Sequence, residues 1–286
     1  MIDLTRLAPR GAEMRDIRGA EIALIPQEPM AAFSPVHTVG DQIIEAIQLH
    51  GHRWREDGRR LTRAEARDIT VGLFRDVGIS MPEQRVDAFS WQLSGGLRQR
   101  AMIAMALITR PALLIADEPT TALDVTVQAQ ILDLLQDLQR EFNSAVIIIT
   151  HDLGVIAEMA DDVLVMYAGR AVEYGRCKEI LTHPEMPYTW GLLSSVPDVA
   201  SDTSARLIPI PGNPPSLLNP PTGCAFHPRC VHSDKVPANL CSTELPLLTP
   251  GSRGETHVKR CHLANPDAVY QAEVLPEIAP ELVEEN

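Results

Sequence analysis

The sequence predicts an α/β protein with a parallel central sheet, and two patterns carry that prediction. Strand-like and helix-like segments alternate through the middle of the chain, at residues 113–116, 125–142, 145–150 and 153–160. This alternation is typical of parallel strands joined by crossover helices. Residues 146–149 are all apolar, as expected of a strand that is buried on both faces. We therefore expect helices to cover both sides of the sheet.

Local patterns predict the elements on either side of this centre. The short apolar run at residues 22–25 indicates a buried strand, and apolar spacings of three and four at 41–49 and 63–77 indicate amphipathic helices. Gly78 can end the second of these helices. Beyond residue 197 the density of proline disfavours helices and central strands. Residues 273–286 carry acids and no base, which predicts a solvated, disordered tail.

Composition and charge narrow the class of protein. A net charge of -13 argues against nonspecific binding to nucleic acid. The first fifteen residues contain no apolar stretch of the kind found in secretory signals. The apolar runs also fall short of the roughly 20 residues that a membrane-spanning helix needs. We expect a cytoplasmic protein whose five cysteines are free thiols or metal ligands rather than disulfides.

Two segments point to phosphate chemistry. Asp117 and Glu118 follow the strand at 113–116, and ligands of open parallel sheets bind at the carboxyl ends of strands. Upstream, residues 93–100 read LSGGLRQR and precede an apolar helix. Glycines let a backbone approach a ligand closely, and a serine hydroxyl beside the amides of a helix N-terminus can hold phosphate. The alternatives are a solvated acidic turn and an ordinary loop.

Together with TTALD at 120–124 and Thr150-His151, these segments resemble the motif series of the ATP-binding cassette (ABC) ATPases in order and spacing. The segment IPQEP at 25–29 resembles the glutamine loop of that family. Within the family the chain is most similar to oligopeptide and dipeptide importer ATPases, over almost its whole length. That similarity is carried by PQEPM at 26–30, SPVHTVG at 34–40 and the HP, YT and LL pairs between 183 and 193.

The resemblance implies a P-loop NTPase-like α/β fold and two regions. Residues 1–195 would form an ABC ATPase domain that lacks its N-terminal phosphate-loop part, with a helical subdomain at about 30–108. Residues 196–265 would form a small, irregular C-terminal region of the oligopeptide-transporter type that contains four cysteines. Composition, rather than the resemblance, predicts that residues 266–286 form the acidic, disordered tail.

The resemblance also implies a role for each matching residue. Glu118 would be the general base, His151 would contact the γ-phosphate of ATP, and Asp117 and Gln27 would support Mg²⁺. The remaining site residues would lie at the interface that closes over ATP between two subunits, namely Ser94, Gly95, Gly96 and Asp124.

A phosphate-binding loop of the form G-x-x-x-x-G-K-[ST] (Walker A) is expected upstream of the glutamine loop, and the 286 residues do not contain one. The three lysines are Lys178, Lys235 and Lys259, and none follows a glycine. We expect a chain that starts about one strand, loop and helix late. A wrong start or frameshift, a decayed gene and a genuine subunit with one degenerate site are the alternatives. Loss of that strand should expose sheet edges and apolar faces.

Four cysteines in the C-terminal region suggest a metal site, and they are Cys224, Cys230, Cys241 and Cys261. Four thiolates suit zinc or an iron-sulfur cluster. The segment at 223–230 resembles the C-terminal region of related importer ATPases that is described as holding a [4Fe-4S] cluster. We expect such a cluster, with zinc or unligated buried thiols as the alternatives.

The resemblance implies an ATP-hydrolysing translocase subunit of an ABC importer for peptides, impaired as encoded, on the cytoplasmic face of the inner membrane. Its implied partners are a second ABC ATPase subunit, two transmembrane permease subunits and a substrate-binding protein. One alternative is a noncatalytic or regulatory subunit that donates its LSGG motif to the other ATPase. Another is the ATPase of a nickel or glutathione importer, so the cargo stays open.

Overall fold

The computed structural model describes residues 2–28, 32–50, 59, 61–121, 123–195 and 209–278. The chain divides into two compact units, residues 1–151 and 152–286. Within the described ranges no helix is both long enough and apolar enough to cross a membrane. Parts of the predicted motifs and regions lie outside these ranges, namely residues 29–31, 51–58, 60, 122, 196–208 and 279–286.

The first unit is built around a parallel sheet, as the alternation of segments predicts. Its strands are adjacent in chain order, with the second in the centre. The helices and strands are α1 (Ala12–Ile17), β1 (Ile22–Ile25), α2 (Val39–Leu49), α3 (Arg63–Asp76), α4 (Pro82–Arg85), α5 (Gly95–Leu107), β2 (Leu113–Asp117), α6 (Val125–Phe142) and β3 (Ala145–Ile149).

Side-chain caps explain where the main helices begin. Thr62 and Glu65 form a capping box at the start of α3, in which each side chain accepts a hydrogen bond from the other residue's backbone. Gly78 follows the end of this helix with a φ of +73°, which an L side chain rarely adopts. Helices α2, α3 and α5 contact one another, within the region where the sequence predicts a helical subdomain.

One face of the parallel sheet is covered and the other is open. Ile25, Leu114 and Ala116 are buried on the covered face, where α5 contacts β1. On the opposite face Leu24 is 57% exposed, and Ile147 and Ile149 are each 49% exposed. The prediction that helices cover both faces is therefore wrong for the described residues. We call this second surface the open face.

The second unit contains an antiparallel sheet with the strand order β4-β5-β7-β6. A π-helix at Tyr270–Val274 joins its last two helices. Its helices and strands are α7 (Leu153–Met159), β4 (Asp162–Tyr167), β5 (Arg170–Arg176), α8 (Cys177–Thr182), α9 (Pro187–Leu193), α10 (Leu240–Thr243), β6 (Thr249–Gly251), β7 (Gly254–Lys259), α11 (Pro266–Val269) and α12 (Leu275–Ile278).

The end of the described chain differs from its prediction. Residues 266–278 are helical rather than disordered, because Tyr270 and Leu275 are buried in an apolar cluster with Trp190. Their acidic neighbour Glu273 lies outside that cluster and forms an ion pair with Lys235. The buried apolar side chains of this acidic segment thus hold it against the apolar cluster of the second unit. The domain boundaries proposed from the sequence stay predictions.

Candidate functional site

Glu118 is the centre of a polar group at the carboxyl end of the parallel sheet. Its backbone nitrogen donates a hydrogen bond to the carbonyl of Ile149 at 2.8 Å, which extends the β2-β3 pairing past the last strand residue. Its φ of +45° is in the left-handed region, which is uncommon for a residue other than glycine. Strained backbone of this kind clusters at functional sites.

Three side chains contact the Glu118 carboxylate. The Gln27 amide nitrogen Nε2 donates to Oε2 at 2.7 Å, and the Thr121 hydroxyl donates to the same oxygen at 2.8 Å. His151 Nδ1 lies 3.3 Å from Oε1. Gln27 follows β1 and His151 follows β3, so the carboxyl ends of all three strands contribute. The structure therefore brings together three of the site residues that the sequence predicts.

These contacts keep Glu118 charged. The hydrogen bond from Thr121 is the largest influence on the pKa of Glu118, and it lowers the pKa below the ordinary glutamate value. Partial burial acts in the opposite direction, and the bonds from His151 and Gln27 lower the pKa further. At neutral pH the group is a carboxylate that can accept a proton.

Asp117 offers a carboxylate, and Gln27 an amide oxygen, of the kind that Mg²⁺ uses as ligands. Asp117 is the last residue of β2 and is half-buried. Mg²⁺ in phosphate-binding sites usually takes one or two carboxylates from the protein and the rest of its ligands from water and phosphate. The Asp117 carboxylate fits that requirement, whereas the Glu118 carboxylate contacts Gln27, Thr121 and His151. Among the residues the structure describes, no three His, Cys, Asp or Glu side chains are arranged around a metal position.

The LSGG residues lie at the N-terminus of α5. The Ser94 hydroxyl caps that helix by accepting a hydrogen bond from the Leu97 nitrogen at 3.4 Å. A Cβ atom added at Gly95 would meet nothing within 4 Å, whereas at Gly96 it would lie 3.5 Å from the Val127 side chain. Asp124 caps α6 in the same way, through Val127. Ser94 and Asp124 thus bond to their own helices rather than to Glu118.

Two residues of this region were missed by the sequence prediction. Thr121 is held close to Glu118 by a turn in which its nitrogen donates to the Glu118 carbonyl at 3.2 Å. Gln99, one helical turn after Gly95, donates from Nε2 to the Pro119 carbonyl at 2.5 Å and so ties the LSGG helix to the acidic turn. The one available signal was that Gln99 lies within the LSGGLRQR segment.

Comparison with known proteins identifies the family. Residues 2–121 match the family described as "ABC transporter", and residues 172–236 match "Oligopeptide/dipeptide transporter, C-terminal region". The chain is 47% identical over 241 residues to the oligopeptide transport ATP-binding protein OppD of Salmonella typhimurium, covering 84% of this chain and 68% of that protein. This chain is an ABC transporter ATP-binding protein. It is also 47% identical over 268 residues to the dipeptide transport ATP-binding protein DppD of Bacillus subtilis, covering 94% and 75% of the two chains.

A solved structure confirms the fold class of this ABC protein. The chain is similar to the dimeric, post-hydrolysis structure of the ATP-binding cassette MJ0796 bound to ADP and Pi, with a TM-score of 0.51 and 25% identity. The similarity covers 62% of this chain and 70% of the other. The α/β fold of the P-loop NTPase-like cassettes is therefore established.

The four C-terminal cysteines of this ABC protein lie near one another as free thiols. The Cys224 nitrogen donates to the Cys241 carbonyl at 2.8 Å, and Cys224, Cys230 and Cys261 pack against one apolar cluster. Burial is the largest cause that raises the pKa of Cys230 to about 11 and that of Cys261 to about 12, and the neighbouring thiols contribute to both increases. The described residues contain no metal-holding arrangement of three ligands, so the predicted iron-sulfur cluster is not supported.

Proposed function

We propose that this ABC transporter protein is the ATP-binding subunit of an importer for peptides. The observation that carries the proposal is the convergence of Gln27, Thr121 and His151 on the Glu118 carboxylate. Peptides are favoured over nickel or glutathione because residues 172–236 match an oligopeptide and dipeptide transporter region. The relatives named for oligopeptide and dipeptide transport support the same cargo class.

In this proposal Glu118 is the general base of ATP hydrolysis. The charged carboxylate takes a proton from the attacking water, and Gln27 and Thr121 fix its Oε2 oxygen while it does so. His151 is 76% exposed and can reach the γ-phosphate from the other side of the carboxylate. Asp117 would hold Mg²⁺ with Gln27, and the metal when bound neutralises charge on the phosphates.

The LSGG residues would act on ATP that is held by a second ATPase subunit. The N-terminus of the 13-residue helix α5 presents backbone amides to an anion, and the space beside Gly95 is open. Asp124 would lie at the same interface. The 286 residues contain no G-x-x-x-x-G-K-[ST] segment. We propose that the residues holding the β- and γ-phosphates come from outside these 286 residues, and that the chain alone binds ATP poorly.

The proposed assembly contains two ATPase subunits, two transmembrane permease subunits and a substrate-binding protein. It places this chain peripherally on the cytoplasmic face of the inner membrane. The dimeric cassette MJ0796 supports pairing of two ATPase subunits.

Calorimetry with Mg-ATP tests this arrangement. The 286-residue chain would be titrated alone and after mixing with the candidate partner ATPase, as wild type and as Ser94→Arg. We expect no binding by the chain alone and tight binding in the mixture, which Ser94→Arg abolishes. The control is Ser216→Arg, an exposed serine of the second unit. Tight binding by the chain alone, or indifference to Ser94→Arg, would contradict the shared site.

A second variant separates the catalytic proposal from a noncatalytic role. In the assembled transporter Glu118→Gln should lower ATP hydrolysis by about 10²- to 10⁴-fold, since it removes the general base. Glu141→Gln, on the exposed side of α6, is the control. Turnover that survives Glu118→Gln but not Ser94→Arg would identify a chain that only donates its LSGG motif.

A further inference from the structure

Three ionisable side chains of the second unit are completely buried together, far along the chain from Glu118. They are Glu173 on β5, Glu185 just before α9, and His257 on β7, and each is 0% exposed. Thr189 of α9 lies beside them and is 2% exposed. We call these four residues the acid-histidine group. Charged side chains are almost never fully buried unless they are paired, so the group needs an explanation.

Glu173 holds the group together. Its Oε1 accepts a hydrogen bond from the Glu185 nitrogen at 2.5 Å and lies 2.9 Å from His257 Nε2. Its Oε2 accepts from the Thr189 hydroxyl at 2.5 Å. One carboxylate therefore links β5 to the segment 185–189 and to the strand β7.

Glu185 extends these links to the turn between β6 and β7. Its Oε1 accepts from the Ser252 nitrogen at 2.7 Å and from the Ser252 hydroxyl at 2.6 Å. A Cβ atom at Gly251 would lie 2.8 Å from both carboxylate oxygens, so only glycine leaves room for the carboxylate. The β6-β7 hairpin is thus fastened through its turn and through β7.

Two polar atoms of the group have no hydrogen-bond partner among the described residues. They are Glu185 Oε2 and His257 Nδ1, and both are inaccessible to solvent. Two carboxylates without a counter-charge would be costly in such surroundings. A proton on His257 supplies a positive charge next to Glu173.

The charges that face His257 come from three elements besides its own strand. Glu173 lies on β5, Glu185 precedes α9, and Glu179 lies on α8. Lys259, two residues along β7, pairs in register with Glu173. Burial alone would lower the pKa of His257, but the bond to Glu173 and the three acidic charges outweigh it and raise the pKa above the ordinary value.

We propose that the acid-histidine group is a proton-binding site, in which a proton held on His257 fastens the β6-β7 hairpin to the segment 185–189. When that proton leaves, two buried carboxylates lose their neighbouring positive charge, and the hairpin loosens to let water reach them. A histidine whose pKa is raised on folding adds stability below its unfolded pKa and loses that contribution as the pH rises through the folded value. The hairpin should therefore be tightest in mild acid. This inference does not depend on the proposed transport function.

Hydrogen exchange on the full chain tests the proposal. Protection factors, which remove the intrinsic effect of pH on exchange, would be measured for β6, β7 and segment 185–189 between pH 6 and pH 9. We expect a severalfold loss of protection at the higher pH, with no change in α2 and α3 of the first unit. Equal protection of the hairpin at both pH values would overturn the proposal.

His257→Gln is the informative variant, because glutamine can still donate a hydrogen bond to Glu173 but cannot take up a proton. Its hairpin protection should be independent of pH, whereas His262→Gln, which alters a histidine bonded to the Glu244 carbonyl, should behave like the wild type. If His257→Gln fails to fold, the NMR titration of the wild-type His257 ring decides instead. A ring that is neutral in mild acid would refute the proton site.

Discussion

At the scale of single residues, Glu118 depends on a backbone conformation that is itself unfavourable. A left-handed φ at a residue other than glycine costs on the order of 1–3 kcal/mol. The bond from the Glu118 nitrogen to Ile149 and the bond from Thr121 to the Glu118 carbonyl hold that conformation. The conformation places one carboxylate within reach of Gln27, Thr121 and His151. The strained backbone and the convergence of donors are parts of one arrangement.

Thr121→Val should raise the pKa of Glu118 toward the ordinary glutamate value, because the Thr121 hydroxyl is the largest cause of the lowered pKa. Because the pKa of Glu118 is lower in the folded protein than in the unfolded chain, the carboxylate is charged at every pH above the unfolded pKa. It loses its charge only as the pH falls through the folded pKa. The variant should therefore lose its charge at a higher pH than the parent. A ¹³C NMR titration of the glutamate carboxyls, assigned with Glu118→Gln, measures this. Thr121→Ser keeps the hydroxyl and should titrate like the parent; matching curves for Thr121→Val would contradict the assignment.

Among the site residues, Glu118 could be predicted from its position at a strand end, whereas Gln27 and His151 were predicted through the resemblance to ABC ATPases. Gln27, Glu118 and His151 each follow an apolar strand, and parallel strands bring their carboxyl ends to one edge of the sheet. Thr121 could not be predicted, because its contact with Glu118 depends on the left-handed turn. The residue types of a segment give little indication of such local backbone geometry.

At the scale of elements, two glycines with the same backbone angle have different surroundings. Gly212 and Gly223 both have a φ of +69°. A Cβ at Gly212 would lie 3.7 Å from the Arg229 side chain, whereas at Gly223 it would lie 2.5 Å from the Cys241 carbonyl oxygen. Gly223 is thus the residue that lets the segment before Cys224 approach α10.

Alanine at these positions separates backbone strain from steric clash. Gly212→Ala should lower the free energy of unfolding by about 1–2 kcal/mol, the cost of a left-handed L residue. Gly223→Ala should lower it by about 1–3 kcal/mol more, since the added methyl group forces the backbone apart. Urea denaturation of the two variants and the parent measures the difference. Equal losses would show that the segment does not approach Cys241 so closely.

The open face reveals a limit of prediction from composition. The apolar residues of β3 predict burial on both faces, but Ile147 and Ile149 are half exposed at the edge of the sheet. An apolar sequence allows a strand to be buried on both faces. Burial also requires another helix or strand that packs against each face, and other residues have to supply it. An exposed apolar edge strand is a site of unwanted pairing with other chains.

Lysine substitutions on the two faces of β3 test this difference. Ile147→Lys should change the free energy of unfolding by no more than about 0.5 kcal/mol and should reduce aggregation, because the side chain is already half exposed. Val146→Lys, which faces the covered side and pairs in register with the buried Leu114, should cost more than about 1 kcal/mol. Thermal unfolding and light scattering provide both measurements. Equal free energies of unfolding for the two variants would mean that both faces of β3 are equally exposed.

At the scale of the whole molecule, the second unit was the harder part to predict. Its proline-rich sequence shows no periodic apolar pattern, yet Trp190, Tyr270 and Leu275 form a buried cluster. Glu173 and His257 are 84 residues apart in the chain, and nothing in either local sequence marks them as partners. The parallel sheet could be predicted because its strands and helices follow one another directly. Contacts between distant segments need the tertiary structure.

The net charge of -13 leads to a last prediction, which concerns how the protein binds to a membrane. An anionic lipid surface repels a protein of the same sign, so the purified chain should not sediment with vesicles of phosphatidylglycerol and phosphatidylethanolamine. Proteoliposomes that contain the permease pair should bind it, because the proposed attachment is to the permease subunits. Neutral phosphatidylcholine vesicles control for apolar adsorption through the open face. Equal binding to vesicles with and without permease would contradict attachment through that partner.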